Sequence, residues 1–123
     1  MKYDPKKAPE PETWNAADEM ERLIAVEHSH KKNMPKIRLH AAIHMAIENQ
    51  AALGDETPVR ETLDRLQREG LDRHDALHAI GSVLAEHLYE IATQGSDGNG
   101  DANENYFPRI KKLTAETWRN SQA

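Results

Sequence analysis

The chain has 123 residues, 37% of them apolar, with one Phe, three Tyr, two Trp and no Cys. That length suits one domain, and the lack of cysteine excludes disulfides, thiolate metal sites and cysteine nucleophiles. A formal net charge of -5, with basic residues only in short clusters (Lys6-Lys7, His30-Lys31-Lys32, Arg109 to Lys112), argues against a phosphate track and so against a nucleic-acid partner.

Aromatic and β-branched residues are too sparse and scattered to alternate as strands, and a core of Leu, Ile, Val, Ala and Met favours helices. Residues 1–12, with three prolines and several charges, read as a flexible N-terminal arm. The core domain is expected over 13–94. Its first helix starts near Asn15 as N-cap, carries Met20, Leu23 and Ile24, and ends near Lys32. The second helix begins after Asn33 with Pro35 near its first position, places Ile37, Ile43, Ile47 and Ala51 at helical spacing, and stops at Gly54. The third starts at Thr57-Pro58, has a narrow stripe of Val59, Leu63 and Leu66, and ends at Gly70. The fourth is capped by Asp72, carries Leu77, Ile80, Leu84, Leu88 and Ile91, and runs to about Thr93. A flexible loop covers 95–103, and a last helix over about 104–120 turns Phe107, Ile110, Leu113 and Trp118 inward before a frayed end at 123. Short connections between four or five helices predict an all-α antiparallel bundle, with helices one, two and four carrying the core.

Seven histidines occur, and four form two copies of one spacing, His40-AAI-His44 and His74-DAL-His78. Residues four apart share a helix face, offset by roughly 40°, so each pair can present two imidazoles to one cation. Should the second and fourth helices be neighbours, the pairs converge into a four-imidazole site suited to Zn, Fe or Ni. Gly81 and Ala85 beyond His78 are small enough to admit a close helix. Glu48, four residues after His44, is the candidate fifth or substitute ligand, and Glu27 is a further carboxylate near His28 and His30. His28 and His30 are two apart and diverge on a helix, so at most one joins the site. His87, Glu86 and Glu90 read as flank or solvated residues. The competing reading makes the histidines structural in a non-enzymatic interaction protein, with the acidic surface serving solubility or a basic partner, and either a homo-oligomer or another protein as that partner.

Other chemistry fits less well. The metalloprotease HExxH is absent, since Ala41 and Asp75 occupy its glutamate position. An HD-type metal-dependent phosphohydrolase would use His40 or His44, then His74-Asp75, then Asp97 or Asp101, but Asp75 is explained by first-turn helix stabilisation. The run Asp97 to Asp101 lacks the glycine and glutamate of a calcium loop. No phosphate-binding glycine loop, dinucleotide fingerprint or nucleophile elbow occurs. No apolar run approaches the ~20 residues of a membrane span, and the first residues lack a secretory signal's apolar stretch, so no membrane partner and a cytoplasmic location are expected.

The segments Leu39 to Gln50 and Gly70 to His87, with Glu19 to His30 and Leu113 to Trp118, resemble a group of small uncharacterised bacterial proteins of unknown function. The likeness spans most of residues 14–120. It implies a bacterial cytoplasmic protein, carries no activity, and draws attention to the polar run Glu48-Asn49-Gln50 beside the histidines.

Overall fold

Among the residues described, the chain forms seven α-helices and no strand. The structure, a computed structural model, describes residues 1–30, 36–94 and 105–122. The loop expected over 95–103, the first helix's end at Lys31-Lys32 and the second helix's start at Asn33 to Pro35 lie outside these residues.

Two helices replace the single first helix. α1 (Pro11–Ala16) opens on a proline, whose ring presets a helical φ, and stops where Ala17 turns extended. α2 (Glu19–His28) restarts at Asp18, whose carboxylate accepts the Glu21 backbone N–H at 2.8 Å. Asp18, and not Asn15, is therefore the cap of this helix, and the chain bends between the two helices. α3 (Ile37–Ala52) is followed by a 3-10 turn over Gly54–Glu56 and then α4 (Val59–Arg68). Thr57 joins α3 to α4 by donating to the Gln50 carbonyl at 3.0 Å and accepting the Val59 N–H at 3.2 Å.

Gly70 ends α4 at φ +109°, a conformation that costs glycine no Cβ clash. Its N–H bonds the Gln67 carbonyl and the Leu71 N–H reaches back to the Leu66 carbonyl, with both leucines buried in the core. This Schellman turn hands the chain to Asp72, which caps α5 (Arg73–Gln94) by accepting the Asp75 N–H at 2.7 Å. The expected last helix is also two, α6 (Tyr106–Lys112) and α7 (Ala115–Gln122). Thr114 breaks it: its backbone N–H and hydroxyl bond the Thr117 hydroxyl, and its hydroxyl accepts the Thr117 N–H, a cap that competes with helix continuation.

The main core joins Ile47 of α3, Val59, Leu63 and Leu66 of α4, Leu77, Ile80 and Leu84 of α5, and Tyr106 and Ile110 of α6. The third predicted helix, expected to contribute little, thus supplies three core side chains. Its stripe is narrow but fully turned inward. Trp14, Val26 and Ala41 form a second cluster on the other side of α3. Met20, Ile24 and Leu88, expected on inner stripes, remain exposed, while Phe107 and Trp118 are half-buried. Glu90, expected as solvated, pairs with Arg109 at 2.6 Å, and His87 is buried and stacked on Tyr106.

α3 packs against α1, α2, α4 and α5, and its polar run makes the ties. Glu48 is fully buried and takes both nitrogens of the Arg73 fork, at 2.7 and 2.8 Å, plus the Tyr3 hydroxyl. Asn49 accepts from Trp14 Nε1 at 2.9 Å and from Arg22 at 3.0 Å. Gln50 accepts from the Tyr106 hydroxyl at 2.8 Å. The N-terminal residues share in this network, since Arg73 also donates to the carbonyls of Pro5 and Lys7.

Arg73→Ala strands a buried carboxylate, so urea unfolding at neutral pH is expected to show a loss of about 3–5 kcal/mol. Tyr3→Phe removes one hydrogen bond to a charged acceptor and is expected to cost about 1–3 kcal/mol. An Arg73→Ala protein as stable as wild type would mean that Glu48 finds another counter-charge or a proton.

Candidate metal centre

Five of the seven histidines meet where the end of α2 and the facing sides of α3 and α5 come together. His40 and His44 lie on consecutive turns of α3 with ring centroids 4.5 Å apart, and His74 and His78 stand likewise on α5 at 4.3 Å. Across the helix interface the centroids are 4.9 Å for His44 and His78, 5.1 Å for His40 and His78, and 5.2 Å for His44 and His74. The two HxxxH helices are therefore adjacent, and Gly81 shows how close they run. A Cβ built on it would meet Ile43 Cγ2 at 3.1 Å.

His30 completes the group from just beyond α2, with ring centroids 4.7 Å from His40, 4.8 Å from His44 and 5.5 Å from His74. Its Nδ1 lies 2.8 Å from the Val26 carbonyl, and a carbonyl only accepts. The proton of the neutral ring is thus on Nδ1, and Nε2 turns its lone pair to the cluster, the second-shell arrangement that orients ligating imidazoles. His30 Nε2 is 3.2 Å from His40 Nε2, so His40 is the donor of that hydrogen bond when no cation is present. His28 is exposed and stands apart.

One ligand atom each from His30, His44, His74 and His78 lies within 4.8 Å of all the others, a set that could hold a metal ion. Among the described residues no carboxylate joins it. Of the residues singled out in the sequence, His40, His44, His74 and His78 come together, whereas Glu48 faces away into the Arg73 and Tyr3 contacts. The reason is local: Arg73 immediately precedes His74, and its planar fork matches both carboxylate oxygens, which leaves Glu48 none to offer. Glu27 is occupied by Arg38 at 2.6 Å. Asp75 acts on His74 only through its charge, and the HD-type alternatives at Asp97 and Asp101 lie outside the described residues. The fifth histidine came from the pair of which the sequence allowed one; the chain's exit from α2 selects His30.

Four of these rings, His40, His44, His74 and His78, are held toward the neutral form. Burial holds the His44 ring down to about 2, helped by the charges His40, His78, His30 and His74 would carry. Burial and the same neighbours hold His78 down to about 4, against the pull of Asp72. His40 and His74 are lowered as well, first by burial. Neutral rings should hydrogen-bond, yet both nitrogens of His44 and the Nε2 atoms of His74 and His78 are buried with no protein partner. Each such atom costs about 1–3 kcal/mol relative to a satisfied one.

These depressed values set a pH dependence for the metal-free protein. The unfolded chain takes up protons as pH falls below the ordinary histidine value of 6.5, while folded His44 does not until about 2. The stability this represents is intact above 6.5 and is lost as pH falls, at up to about 1.4 kcal/mol per pH unit for His44. Denaturant unfolding in chelator between pH 7.5 and 5 is expected to show that decline, with a shallower slope in His44→Ala; equal slopes would contradict the assignment.

Residues 8–112 match the model of a family described as a domain of unknown function, DUF1841, a span that takes in all seven histidines. No curated protein and no solved structure matches the chain. With 8–112 covered out of 123 residues, the chain belongs to the DUF1841 family.

Proposed function

We propose that this protein binds a divalent transition metal, of the Zn, Fe or Ni type, through His30, His44, His74 and His78, with His40 as a fifth imidazole at its edge. The observation that carries the reading is that one ligand nitrogen each from His30, His44, His74 and His78 lies within 4.8 Å of the others, while buried nitrogens of His44, His74 and His78 have no protein partner. A fold seldom leaves several such atoms unsatisfied in one place, and a single cation would satisfy one nitrogen on each of those three rings. A further point supports it: burial and the neighbouring rings hold His44 and His78 in the neutral form, the protonation state that ligates.

Such an ion would tie together three separate segments, the end of α2, α3 and α5. With a closed set of imidazoles its role is structural; with an open position it is a Lewis acid or redox centre. The test is elemental mass spectrometry on untagged protein purified without chelator, beside His44→Ala/His78→Ala. About one metal per chain in wild type and little in the double variant is the expected result. At free metal about 100-fold above the dissociation constant, wild type should gain about 2.7 kcal/mol of stability. No metal as purified, and no uptake of Zn, Fe, Ni or Mn, would overturn the proposal and leave the histidines as packing residues of an interaction protein.

A further inference from the structure

A cavity of about 280 Å³ opens beside the histidines, on the side of α5 that lies beyond His78. One wall is His40, His44 and His78, and the rest joins apolar Ile43, Ala85 and Trp118 of α7 with polar Ser82 and Gln122. The Trp118 indole Nε1 is buried with no protein acceptor. The cavity therefore pairs the imidazole cluster with a mixed lining in which apolar side chains predominate. Its volume falls just below the roughly 300–1,000 Å³ of drug-sized pockets, so it suits a small molecule.

The charge balance says what kind. Resting on the proposed metal centre, an all-imidazole set leaves the ion's double positive charge uncompensated in a half-buried site. The acidic side chains at hand are committed elsewhere: Glu48 to Arg73 and Tyr3, and Glu27 to Arg38. Asp72 acts through its charge on His74 and His78, and Asp75 on His74, but neither belongs to the ligand group. A partly buried, unbalanced dication favours an anion from solution. We propose that this cavity is the ligand pocket of the metal centre and takes a small organic carboxylate, its head at the ion and its short apolar or aromatic body against Ile43, Ala85 and Trp118.

The test uses the full chain loaded with cobalt(II), whose visible absorption changes with coordination, titrated with benzoate, butyrate and the neutral analogue benzamide. Both carboxylates are expected to shift the spectrum saturably, with benzamide at least about tenfold weaker. Ala85→Leu, which fills the cavity, should keep cobalt stoichiometry and weaken benzoate at least about tenfold. Trp118→Phe, which keeps the ring and removes the donor, should weaken it less. Circular dichroism checks that both variants fold, and either one suffices. Cobalt uptake without a spectral response to the carboxylates would overturn the pocket and leave the metal centre standing. So would equal responses to benzoate and benzamide, or benzoate binding undiminished in both variants. Failure to take up cobalt would overturn the metal centre and the pocket with it.

Discussion

Glu48 and Arg73 set the relation between the two helices that carry the histidine pairs. Glu48 stands one turn after His44 on α3, and Arg73 immediately precedes His74 on α5. Their bidentate contact, with Glu48 fully buried and Arg73 nearly so, pins the two helices at one register beside the cluster. Burying two charges costs several kcal/mol per ion, and only good geometry with all lone pairs occupied recovers it. Here the Tyr3 hydroxyl and the carbonyls of Pro5 and Lys7 fill the remaining positions, so the N-terminal residues are part of the same arrangement. Burial and the neighbouring Glu48 carboxylate both raise the Tyr3 phenol, which keeps it the donor.

The next two residues of α3 extend the same logic to other elements. Asn49 accepts from Trp14 of α1 and Arg22 of α2, and Gln50 from Tyr106 of α6. Three consecutive residues on a helix point in three directions, about 100° apart. A polar run in the middle of the bundle thus fastens α5, the α1–α2 pair and α6 to one central helix. Hydrogen bonds from indole, guanidinium and phenol donors to carboxylate and amide oxygens are directional, so they select one packing among several that apolar contacts alone would tolerate.

The histidine cluster works against this economy. Apolar side chains of similar volume would pack the α3–α5 interface without orphaned nitrogens, and Gly81 gives up roughly 1 kcal/mol of helix propensity to let Ile43 come close. A fold that satisfies Glu48, Asn49 and Gln50 so fully yet leaves four imidazole nitrogens without protein partners concentrates its unmet bonding in one place. Perturbed titratable groups gathered beside a cavity are the usual mark of a site under functional constraint.

Local physics was legible in the chain. The helical class follows from composition, the α4 and α5 boundaries from Gly70 and Asp72, and the pairing of His40 with His44 and His74 with His78 from the helical repeat, because each depends on residues within a turn or two of one another. The breaks at Ala17–Asp18 and Leu113–Thr114 were harder, since a side-chain cap competes there with helix continuation by a small energy difference. The remaining features were decided only in three dimensions. Glu48 shares a stripe with His40 and His44, but a guanidinium 25 residues away claims it. His30 enters the cluster from just beyond the end of α2, and the N-terminal residues are held by groups more than 40 positions distant. Periodicity assigns a residue to a helix face; which charge or ring it meets there is settled by the competition among all groups the packed helices bring within reach.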